Sequence, residues 1–408
     1  MQKPRSALAE RMENARPDVL IVGAGMAGSA LACALRDSGL EVLLLDRRTT
    51  PLDTARGDHL QPATLELLSA WGVLPRLLAA GAEQRPGTRW FDAQGQLVLE
   101  SRVDGLELKF PHFLFLNHER IADVLLQTAL ESPGTRLLPP CRDWNLLKRE
   151  SAAGIEVSYP GGEHQIILPR VLVGADGTGS RLRSQAGIGT ALHRYQHPIA
   201  VLFGRRRIPL EQAWLEVYLS HGPMVSVIPR VGGASKIGLP IKAGELSDWR
   251  GATEGELLVR MRELVPSLEL ESLRFAAIYP PVRVAVEHWI AGNVVLLGDA
   301  CHAMHPARSM GMNACLRTAD GLARRLQGLP SAAACGEVAA ALQDFESGER
   351  PRLEIELEAN HRAGEEMDLI SGEAYESLLA RLQGVAGVAQ AREALALQSA
   401  GYSPGKPG

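Results

Sequence analysis

Three glycines and one aspartate early in this sequence have the types and spacing of a phosphate-binding site. Gly23, Gly25 and Gly28 form a G-x-G-x-x-G pattern, and Asp46 follows it. In this pattern the first glycine permits a tight turn, the second lets the backbone approach a pyrophosphate, and the third lets a helix pack closely on a strand. The N–H groups at the start of that helix then face the phosphates. Asp46 would accept hydrogen bonds from a ribose, so these residues predict a dinucleotide without a 2′-phosphate, such as FAD or NAD.

The elements predicted around these residues are the ones that must position them. Residues 18–22 are apolar and rich in branched side chains, which is typical of a buried parallel strand. A helix is predicted over residues 29–38, ended by Gly39, and a second strand over 41–45. Strand, glycine turn, helix, strand and acid in this order favour a dinucleotide site over the alternative, in which the glycines serve only turn and packing.

Two later segments each place an aspartate directly after an apolar run that predicts a strand. Asp176 and Gly177 end the first segment, and Gly298 and Asp299 end the second. An aspartate at a strand end can bind a sugar-alcohol hydroxyl, while backbone N–H groups nearby bind phosphate or a flavin oxygen. Taken singly, each aspartate is also consistent with an ordinary helix N-cap.

The second of these segments leads to a further predicted helix, which begins at Gly311 and ends near residue 326. Met312 and Asn313 lie in its first turn. The positive end of this helix would stabilise negative charge on the pyrimidine side of a reduced flavin.

With the three motifs in this order, residues 18–330 resemble the flavoprotein aromatic hydroxylases of the para-hydroxybenzoate hydroxylase type. The resemblance implies bound FAD and transient NADH or NADPH. It also implies that a flavin C4a-hydroperoxide hydroxylates or epoxidises an electron-rich aromatic, quinone or quinolone-like molecule, in secondary metabolism. In that family the segment of Asp176 touches both FAD and the nicotinamide donor, and the aspartate matched by Asp299 binds the ribitol of FAD.

The same resemblance implies further cofactor contacts. Arg56 matches an arginine of the family that contacts FAD, and the alternative is a solvated surface arginine. A helix is predicted to begin near His118, and either His118 or Arg120 would face FAD. Arg47, next to Asp46, completes the predicted cofactor-binding set.

Two residues beside the presumed substrate ring are predicted to be catalytic, Pro306 and His305. His305 is the candidate for deprotonating a phenol, and His59 is a weaker candidate. A structural or surface histidine is the more common alternative for either residue. Because the flavin carries the oxygen chemistry, no protein nucleophile is required.

The loop after Pro306 departs from the family pattern. Ser309 and Met310 replace the usual glycine and glutamine, and Thr318 stands where an aspartate is common, with Asp320 shifted along the chain. We expect Ser309 to require a backbone without the freedom of glycine. These changes keep two alternatives open, a flavin-dependent reductase of the same superfamily and a flavin-bound ligand-binding protein with little turnover. A flavin halogenase is disfavoured because the sequence has no W-x-W-x-I-P motif.

The pattern of elements predicts an α/β fold. It combines a Rossmann-like FAD-binding domain, an inserted and mostly antiparallel β-sheet domain for the substrate, and a C-terminal helical segment. The predicted boundaries are 17–85, 117–190 and 284–330 for the FAD-binding domain, 86–116 and 191–283 for the substrate domain, and 331–408 for the helical segment. Trp214, Tyr218 and Met224 are candidate pocket residues, although such residues are more often core.

The bulk composition disfavours other classes of protein. The 408 residues carry a net charge of −4, which argues against a nucleic-acid partner. No apolar run approaches the ~20 residues of a membrane span.

The five cysteines lack C-x-x-C spacing, so we expect free thiols, no metal site and a cytoplasmic location. Residues 1–17 are interpreted as a leader rather than a signal peptide. The predicted partners are an aromatic small molecule and O2, and the predicted state is a monomer or homodimer.

Overall fold

The computed structural model describes residues 15–48, 56–149, 152–208, 213–330, 334–370 and 372–402. The predicted leader, residues 1–17, lies almost entirely outside these ranges. The helices are α1 (Met26–Ala34), α2 (Pro62–Ala70), α3 (Leu74–Ala79), α4 (His118–Leu130), α5 (Arg181–Ala186), α6 (Leu246–Gly251), α7 (Glu254–Leu264), α8 (Asp299–His302), α9 (Gly311–Gln327), α10 (Cys335–Asp368), α11 (Gly372–Ala386) and α12 (Ala389–Ser399). Two short 3-10 turns cover Ala243–Glu245 and Pro306–Arg308.

The strands are β1 (Val19–Val22), β2 (Val42–Leu45), β3 (His59–Leu60), β4 (Glu83–Arg85), β5 (Gly87–Phe91), β6 (Leu97–Arg102), β7 (Phe113–Phe115), β8 (Thr135–Leu137), β9 (Asp143–Leu147), β10 (Gly154–Ser158), β11 (His164–Ile167), β12 (Val171–Gly174), β13 (Thr190–Arg194), β14 (Ile199–Arg206), β15 (Leu215–Tyr218), β16 (Val225–Arg230), β17 (Ala234–Pro240), β18 (Leu270–Tyr279), β19 (Val282–Val286), β20 (Ile290–Ala291) and β21 (Val294–Leu296). Together these elements form the mixed α/β fold with C-terminal helices that the sequence predicts.

A six-stranded sheet carries the first motif and both later ones. Its order is β20–β21–β12–β1–β2–β8, and every neighbouring pair is parallel except β20 with β21. Because the carboxyl ends of parallel strands meet at one edge of a sheet, β1, β12 and β21 deliver Gly23, Asp176 and Asp299 to the same edge. The candidate site forms at this edge.

Both faces of this sheet are covered, which explains why β1 is apolar throughout. Val19 and Ile21 pack in a core that contains α1, α4 and α9. Leu20 and Val22, which point the other way, pack in a core with the small sheet β9–β11. The strand is therefore held from two sides, and the turn that follows it is held in place.

Helix α1 is shorter and begins earlier than the predicted helix over 29–38. It begins at Met26, directly after the second motif glycine, and ends at Ala34. Residues 35–37 form turns instead, because the chain must reverse direction before β2 begins at Val42. The early start places the helix N-terminus at the end of β1, where a phosphate-binding helix must begin.

A seven-stranded sheet in the order β18–β14–β17–β16–β15–β5–β6 is mostly antiparallel, as predicted, with one parallel pair between β15 and β5. Its two faces differ. Ala200 and Leu202 of β14 face a core closed by α6 and α7. Val201 and Phe203 alternate with them and face Met367 of α10. One face of the sheet is thus closed by its own helices, and the other is turned toward the rest of the molecule.

The C-terminal helices cover the parts of the molecule that the two sheets leave open. Phe345 and Leu353 of α10 are buried in the main core, and Gly364 near its end packs on His305. Helices α11 and α12 pack against β6, with Tyr375 in contact with the cluster around Leu99. No helix in the described parts of the chain is long and apolar enough to cross a membrane.

Candidate active site

The glycine turn is fixed by contacts of the backbone with itself. Gly23 has a φ of +108°, and a Cβ there would lie 2.3 Å from the carbonyl oxygen of Ala175. A Cβ on Gly28 would lie 1.9 Å from the carbonyl oxygen of Gly23. A Cβ on Gly25 would meet no atom within 4 Å among the described residues, so the backbone there borders open space. The tight turn at Gly23 and the close packing at Gly28 are the roles that the pattern predicts, and the open space at Gly25 leaves room for the predicted pyrophosphate.

The start of α1 has backbone N–H groups that could bind an anion. Its N-cap is Gly25, and this fully described helix has neither a side-chain cap nor an acidic residue in its first turn. The Asp46 carboxylate accepts hydrogen bonds from the backbone N–H groups of Ala24 (2.8 Å) and Arg48 (2.9 Å). It therefore ties the glycine turn to the end of β2 and lies beside the open space. Arg47 is exposed next to it.

The second aspartate, Asp176, organises the turn after β12. Its carboxylate accepts hydrogen bonds from the Ser180 hydroxyl (2.5 Å) and from the backbone N–H groups of Arg181 (2.7 Å) and Leu182 (3.1 Å). Gly177, with a φ of +84°, makes the sharp bend between them. Asp176 thus bonds the start of α5, as the N-cap alternative requires, although the N-cap residue itself is Ser180.

Arg183 joins the second motif to the third, a role that was not predicted from the sequence. Its buried guanidinium donates hydrogen bonds to the carbonyl oxygens of Ala300 (2.7 Å) and Thr178 (3.0 Å). Burial lowers the pKa of Arg183 from its usual value. The position in the motif, in the first turn of a helix after an aspartate–glycine pair, is a signal that could have found it.

The third motif places an ion pair at the centre of the site. Gly298 has a φ of +61°, and a Cβ there would lie 2.6 Å from the Cβ of Ala27, so this turn packs directly on α1. Asp299 follows and forms an ion pair with Arg56, with the Thr178 hydroxyl 3.5 Å from the same oxygen. Burial acts to raise the pKa of Asp299, but the charge and hydrogen bond of Arg56 outweigh it and leave this pKa below its usual value. The carboxylate is therefore ionised at neutral pH.

A buried cluster of charged side chains holds the backbone of Arg56 in place. Asp58 is fully buried and pairs with Arg230 (3.0 Å) and Lys236 (2.8 Å). The Lys236 amine also donates a hydrogen bond to the backbone carbonyl of Arg56, and Arg230 pairs with Glu119 at 3.1 Å. Since Arg230 and Lys236 belong to β16 and β17, the seven-stranded sheet helps to position the segment that holds Arg56. No local pattern in the sequence indicates this cluster.

The structure distinguishes the two candidates at the start of α4. His118 is buried. Its backbone N–H donates a hydrogen bond to the Asp58 carboxylate at 2.9 Å, and its ring Nδ1 lies 3.2 Å from the Gly57 carbonyl oxygen. His118 also lies close enough to Asp299 to lower the pKa of that carboxylate. Arg120 is exposed. The geometry therefore favours His118 as the residue nearer the site.

The backbone of the turn at Pro306 differs from the one expected from the sequence. Ser309 has a φ of +52°, the left-handed conformation, and is the only residue other than glycine with a positive φ in the described ranges. The expectation that serine would avoid the conformation open to glycine is wrong. The N–H of Ser309 donates to the Pro306 carbonyl at 2.9 Å, which closes the turn and gives the strained residue a compensating bond. Pro306 itself is exposed.

His305 is buried within this turn. Its Nδ1 accepts a hydrogen bond from the Ala307 N–H at 3.1 Å, and its ring lies 4.5 Å from the Tyr195 ring. Asn360 of α10 donates to the His305 carbonyl oxygen at 2.5 Å. Burial lowers the pKa of His305 to about 4, so the ring is neutral at neutral pH.

His59, the weaker catalytic candidate, occupies a similar environment. Its ring lies between those of Phe113 (5.6 Å) and Phe115 (5.3 Å), and burial lowers its pKa to about 4. These contacts are those of a packed core side chain.

The start of α9 is tied to the segment around β3. Asn313 is fully buried, accepts a hydrogen bond from the Gln61 N–H at 2.9 Å and donates to the His59 carbonyl at 3.3 Å. Gln61 also contacts the sulfur of Met310 at 3.1 Å. Met312 is partly buried against the main core. In this helix no acidic residue or side-chain cap occupies the first turn, which leaves the N–H groups beginning at Gly311 available.

The residues further along α9 explain the shifted aspartate. Asp320 accepts a hydrogen bond from the Trp71 indole N–H at 3.0 Å and pairs with Arg324. Thr318, at the position where aspartate is common in the family, is buried with its hydroxyl 3.3 Å from His302. Asp320 therefore holds α9 to the end of α2.

An apolar face lies beside the turn at Pro306. Phe203, Met224, Tyr279 and Met367 belong to one cluster with Ala307, and the first three are only partly buried. Of the candidate pocket residues, Met224 lies here. Tyr218 packs in the closed core on the other face of the sheet, and Trp214 lies under the guanidinium of Arg89 at 3.9 Å.

The residues at the sheet edge fit FAD. The uncapped start of α1 and the open space at Gly25 could hold the pyrophosphate, and Asp46 could hold the ribose. Asp299, ionised beside Arg56, could accept a hydrogen bond from a ribitol hydroxyl. The start of α9 could stabilise negative charge on the flavin pyrimidine.

Comparison with known proteins agrees with this fit. Residues 16–338 match the family model described as FAD binding domain. The chain is 28% identical over 345 residues to ubiquinone hydroxylase UbiL from Rhodospirillum rubrum, and the alignment covers 82% of this chain and 78% of that protein. It is 25% identical over 331 residues to 6-methylpretetramide 4-monooxygenase from Streptomyces rimosus, with coverage of 77% and 78%.

The fold is also that of a solved monooxygenase. The crystal structure of p-nitrophenol 4-monooxygenase PnpA from Pseudomonas putida DLL-E4 aligns with a TM-score of 0.80 at 17% identity, and covers 95% of this chain and 98% of that one. With the family match over most of the chain and the three motifs at one sheet edge, the protein belongs to the FAD-binding-domain family of FAD-dependent aromatic hydroxylases.

Proposed function

We propose that the protein is a monooxygenase that uses FAD, NADH or NADPH, and O2 to hydroxylate an electron-rich aromatic, quinone or quinolone-like molecule. The observation that carries this proposal is the partly exposed apolar face beside the turn at Pro306. This turn lies between Asp299 and the start of α9 in the sequence. A partly exposed apolar surface next to a cofactor site suits a flat small molecule. The names of two relatives, a ubiquinone hydroxylase and a 6-methylpretetramide monooxygenase, support the same reaction class.

The protein's own contribution is to bind and orient. When bound, FAD supplies electron transfer from the nicotinamide and the activation of O2. Asp299 and Arg56 would fix the ribitol chain, and Lys236 would keep Arg56 in place through its backbone carbonyl. The positive end of α9 would favour the reduced, negatively charged flavin.

Substrate recognition is assigned to the apolar face and to Arg308. Met224 and Tyr279 would contact the ring of the substrate. The Phe203 ring borders them and already lies under the guanidinium groups of Arg230 (4.6 Å) and Arg274 (4.9 Å). Arg308 is half-buried in the turn after Pro306, and burial lowers its pKa although the charge of Glu356 acts in the other direction. A partly desolvated guanidinium gains most from an anionic partner, so we expect the substrate to carry a phenolate or a carboxylate.

A general-base role for His305 requires a free lone pair on its ring. The Nδ1 accepts from Ala307, so in the neutral ring the proton lies on Nε2. This arrangement favours a positioning role for His305 over deprotonation of a phenol. If the pH–rate profile of His305→Asn loses the limb that the unaltered enzyme shows, the base role is the correct one.

The experiment is oxidation of NADH and of NADPH by the FAD-loaded protein, measured with O2 uptake and peroxide yield across phenols, quinones and quinolones. One compound that accelerates oxidation, consumes O2 and releases little peroxide identifies a hydroxylase and its substrate class. Oxidation that proceeds without O2, with reduction of the added compound, identifies the reductase alternative. Binding of a compound without oxidation identifies the ligand-binding alternative.

A matched variant tests the substrate assignment. Arg308→Met should raise KM for acidic compounds about 10-fold or more while FAD content stays unchanged, because one charge-assisted contact is lost. Arg136→Met is the control, since Arg136 forms an exposed ion pair with Glu41 away from the site. An unchanged KM for acidic compounds in the Arg308 variant, or an equal rise for neutral and acidic compounds, would contradict recognition of an anionic substrate by Arg308.

A further inference from the structure

A group of three metal-binding side chains lies outside the site described above. His193 belongs to β13, and His361 and Glu365 lie one turn apart on α10. One ligand atom from each lies within 4.8 Å of the others. His193 and Glu365 are exposed, and His361 is partly buried, so the group is open to solvent. The proposed reaction makes no use of it.

A second observation shows that His361 is already oriented as a ligand. Its Nδ1 lies 2.8 Å from the Tyr195 hydroxyl, and its Nε2 lies 3.6 Å from a carboxylate oxygen of Glu365. Histidine ligands commonly use one ring nitrogen for the metal and the other for a fixed hydrogen bond. The His193 ring packs 4.8 Å from the His361 ring, on the same side.

The charges around the group permit a cation. Arg283 pairs with His193 in the register of β13 and β19, but its guanidinium forms an ion pair with Glu358 at 3.2 Å. Asp368, on the next turn of α10, contacts His197 at 3.2 Å. The Glu365 carboxylate, 3.6 Å from Nε2 of His361, gives the group one negative charge.

We propose that His193, His361 and Glu365 form a binding site for Zn²⁺. Two imidazoles and one carboxylate are a common zinc set, with water as the fourth ligand. Zinc bonds of about 2.0–2.2 Å need ligand atoms only about 3.4 Å apart. Exposed side chains reach this spacing by small rotations from the present distances.

The metal would fasten β13 to α10 on the outer side of the Pro306 turn. Tyr195 stands between the two regions, since its hydroxyl contacts His361 and its ring contacts His305. Zinc would hold Tyr195 through His361 and so restrain the turn from outside. The inference concerns metal binding and does not depend on the proposed reaction.

The test is a titration of the full-length, FAD-loaded protein, without a polyhistidine tag, with Co²⁺ followed by Zn²⁺ competition. We expect one Co²⁺ per chain, visible d–d absorption of a low-coordinate site, and displacement by one equivalent of Zn²⁺. His193→Gln and Glu365→Gln should abolish the absorption, and both residues are exposed, so the fold should persist in circular dichroism. Tyr195→Phe should weaken binding about 10-fold while leaving the spectrum, because it removes only the hydrogen bond behind the ligand.

His164→Gln is the matched control. His164 is exposed and lies 3.8 Å from Glu156, a histidine–glutamate pair without a second histidine. Its substitution should leave Co²⁺ and Zn²⁺ binding unchanged. Failure of the unaltered protein to bind either metal at about 100 µM would overturn the proposal. Equal binding by the unaltered protein and by the His193 and Glu365 variants would overturn it as well.

Discussion

The two helix N-termini at the site, those of α1 and α9, are held in different ways. The turn into α1 is fixed by the backbone, because a Cβ at Gly23 or Gly28 would overlap a carbonyl oxygen. The turn into α9 is held by side chains from distant segments, since Asn360 bonds the carbonyl of His305 and Asn313 bonds the segment around β3. A turn fixed by its own backbone admits few residue types, whereas one fixed from outside can vary. Two departures from the family pattern, Ser309 and Met310, fall in the second turn.

The largest expected effect is that of Gly28→Ala. The added Cβ would lie 1.9 Å from the Gly23 carbonyl oxygen, so the helix must move away from the turn. We expect a loss of about 3 kcal/mol in the free energy of unfolding and no bound FAD, measured by urea unfolding and the flavin-to-protein absorbance ratio.

Gly25→Ala is the control for this substitution. Its Cβ would meet no described atom within 4 Å, so stability should stay near that of the unaltered protein. FAD content should still fall, because the methyl group fills the space proposed for the pyrophosphate. If both variants lose stability equally, the turn is not fixed in the way the contacts indicate.

Gly364→Ala should disturb the second turn and leave the first intact. Its Cβ would lie 2.7 Å from Cγ of His305 and 3.0 Å from Cε1 of Tyr195, so α10 must shift from the turn at Pro306. We expect a stability loss of about 2 kcal/mol, retained FAD, and a higher peroxide yield with substrate.

Gly336→Ala is the control within the same helix, because its Cβ meets nothing within 4 Å in the described structure. It should be neutral or stabilising by about 0.5 kcal/mol. Loss of FAD from the Gly364 variant would contradict the separation of the two turns.

The second turn should also be the more sensitive to acid. The pKa of His305 is about 4 in the folded protein and about 6.5 when unfolded, so between these values the unfolded state binds the extra proton. Stability therefore falls as pH drops from 6.5 toward 4. At pH 5 this histidine alone lowers the free energy of unfolding by about 2 kcal/mol.

His305→Asn removes the titrating group and can keep an acceptor for the Ala307 N–H. Unfolding measured between pH 7 and 5 should show a flatter dependence than in the unaltered protein. His302, also buried with a pKa of about 4, should keep its own share of the slope in this variant. An unchanged slope would show that His305 does not titrate as its burial implies.

The smallest effect is expected at Ser309, where the left-handed backbone strains any residue with a Cβ. Ser309→Gly should stabilise the protein by about 1 kcal/mol without loss of FAD. Ala307→Gly, in the adjoining 3-10 turn, should destabilise it by about 0.5–1 kcal/mol, because no strain is relieved there. Equal effects of the two substitutions, in urea unfolding, would show that Ser309 is not strained.

The sequence was most informative where local chemistry decides the backbone. The glycine roles, the strands that end in aspartates and the helix from Gly311 were all predictable, because turn geometry and apolar runs act over a few residues. The predicted start of α1 at residue 29 was wrong, because the packing of Gly28 on the glycine turn sets the helix start at Met26. The FAD family was recognisable because its three motifs keep their order along the chain.

The tertiary structure alone decided which side chains meet across long separations. Arg56 joins Asp299, Lys236 joins Asp58, and His193 approaches α10, although nothing in the local sequence indicates these pairs. The left-handed conformation of Ser309 could not be predicted from the sequence either. The physical reason is that a turn's own residues set its intrinsic preferences, whereas contacts from α10 and β3 can hold it in a conformation those preferences disfavour.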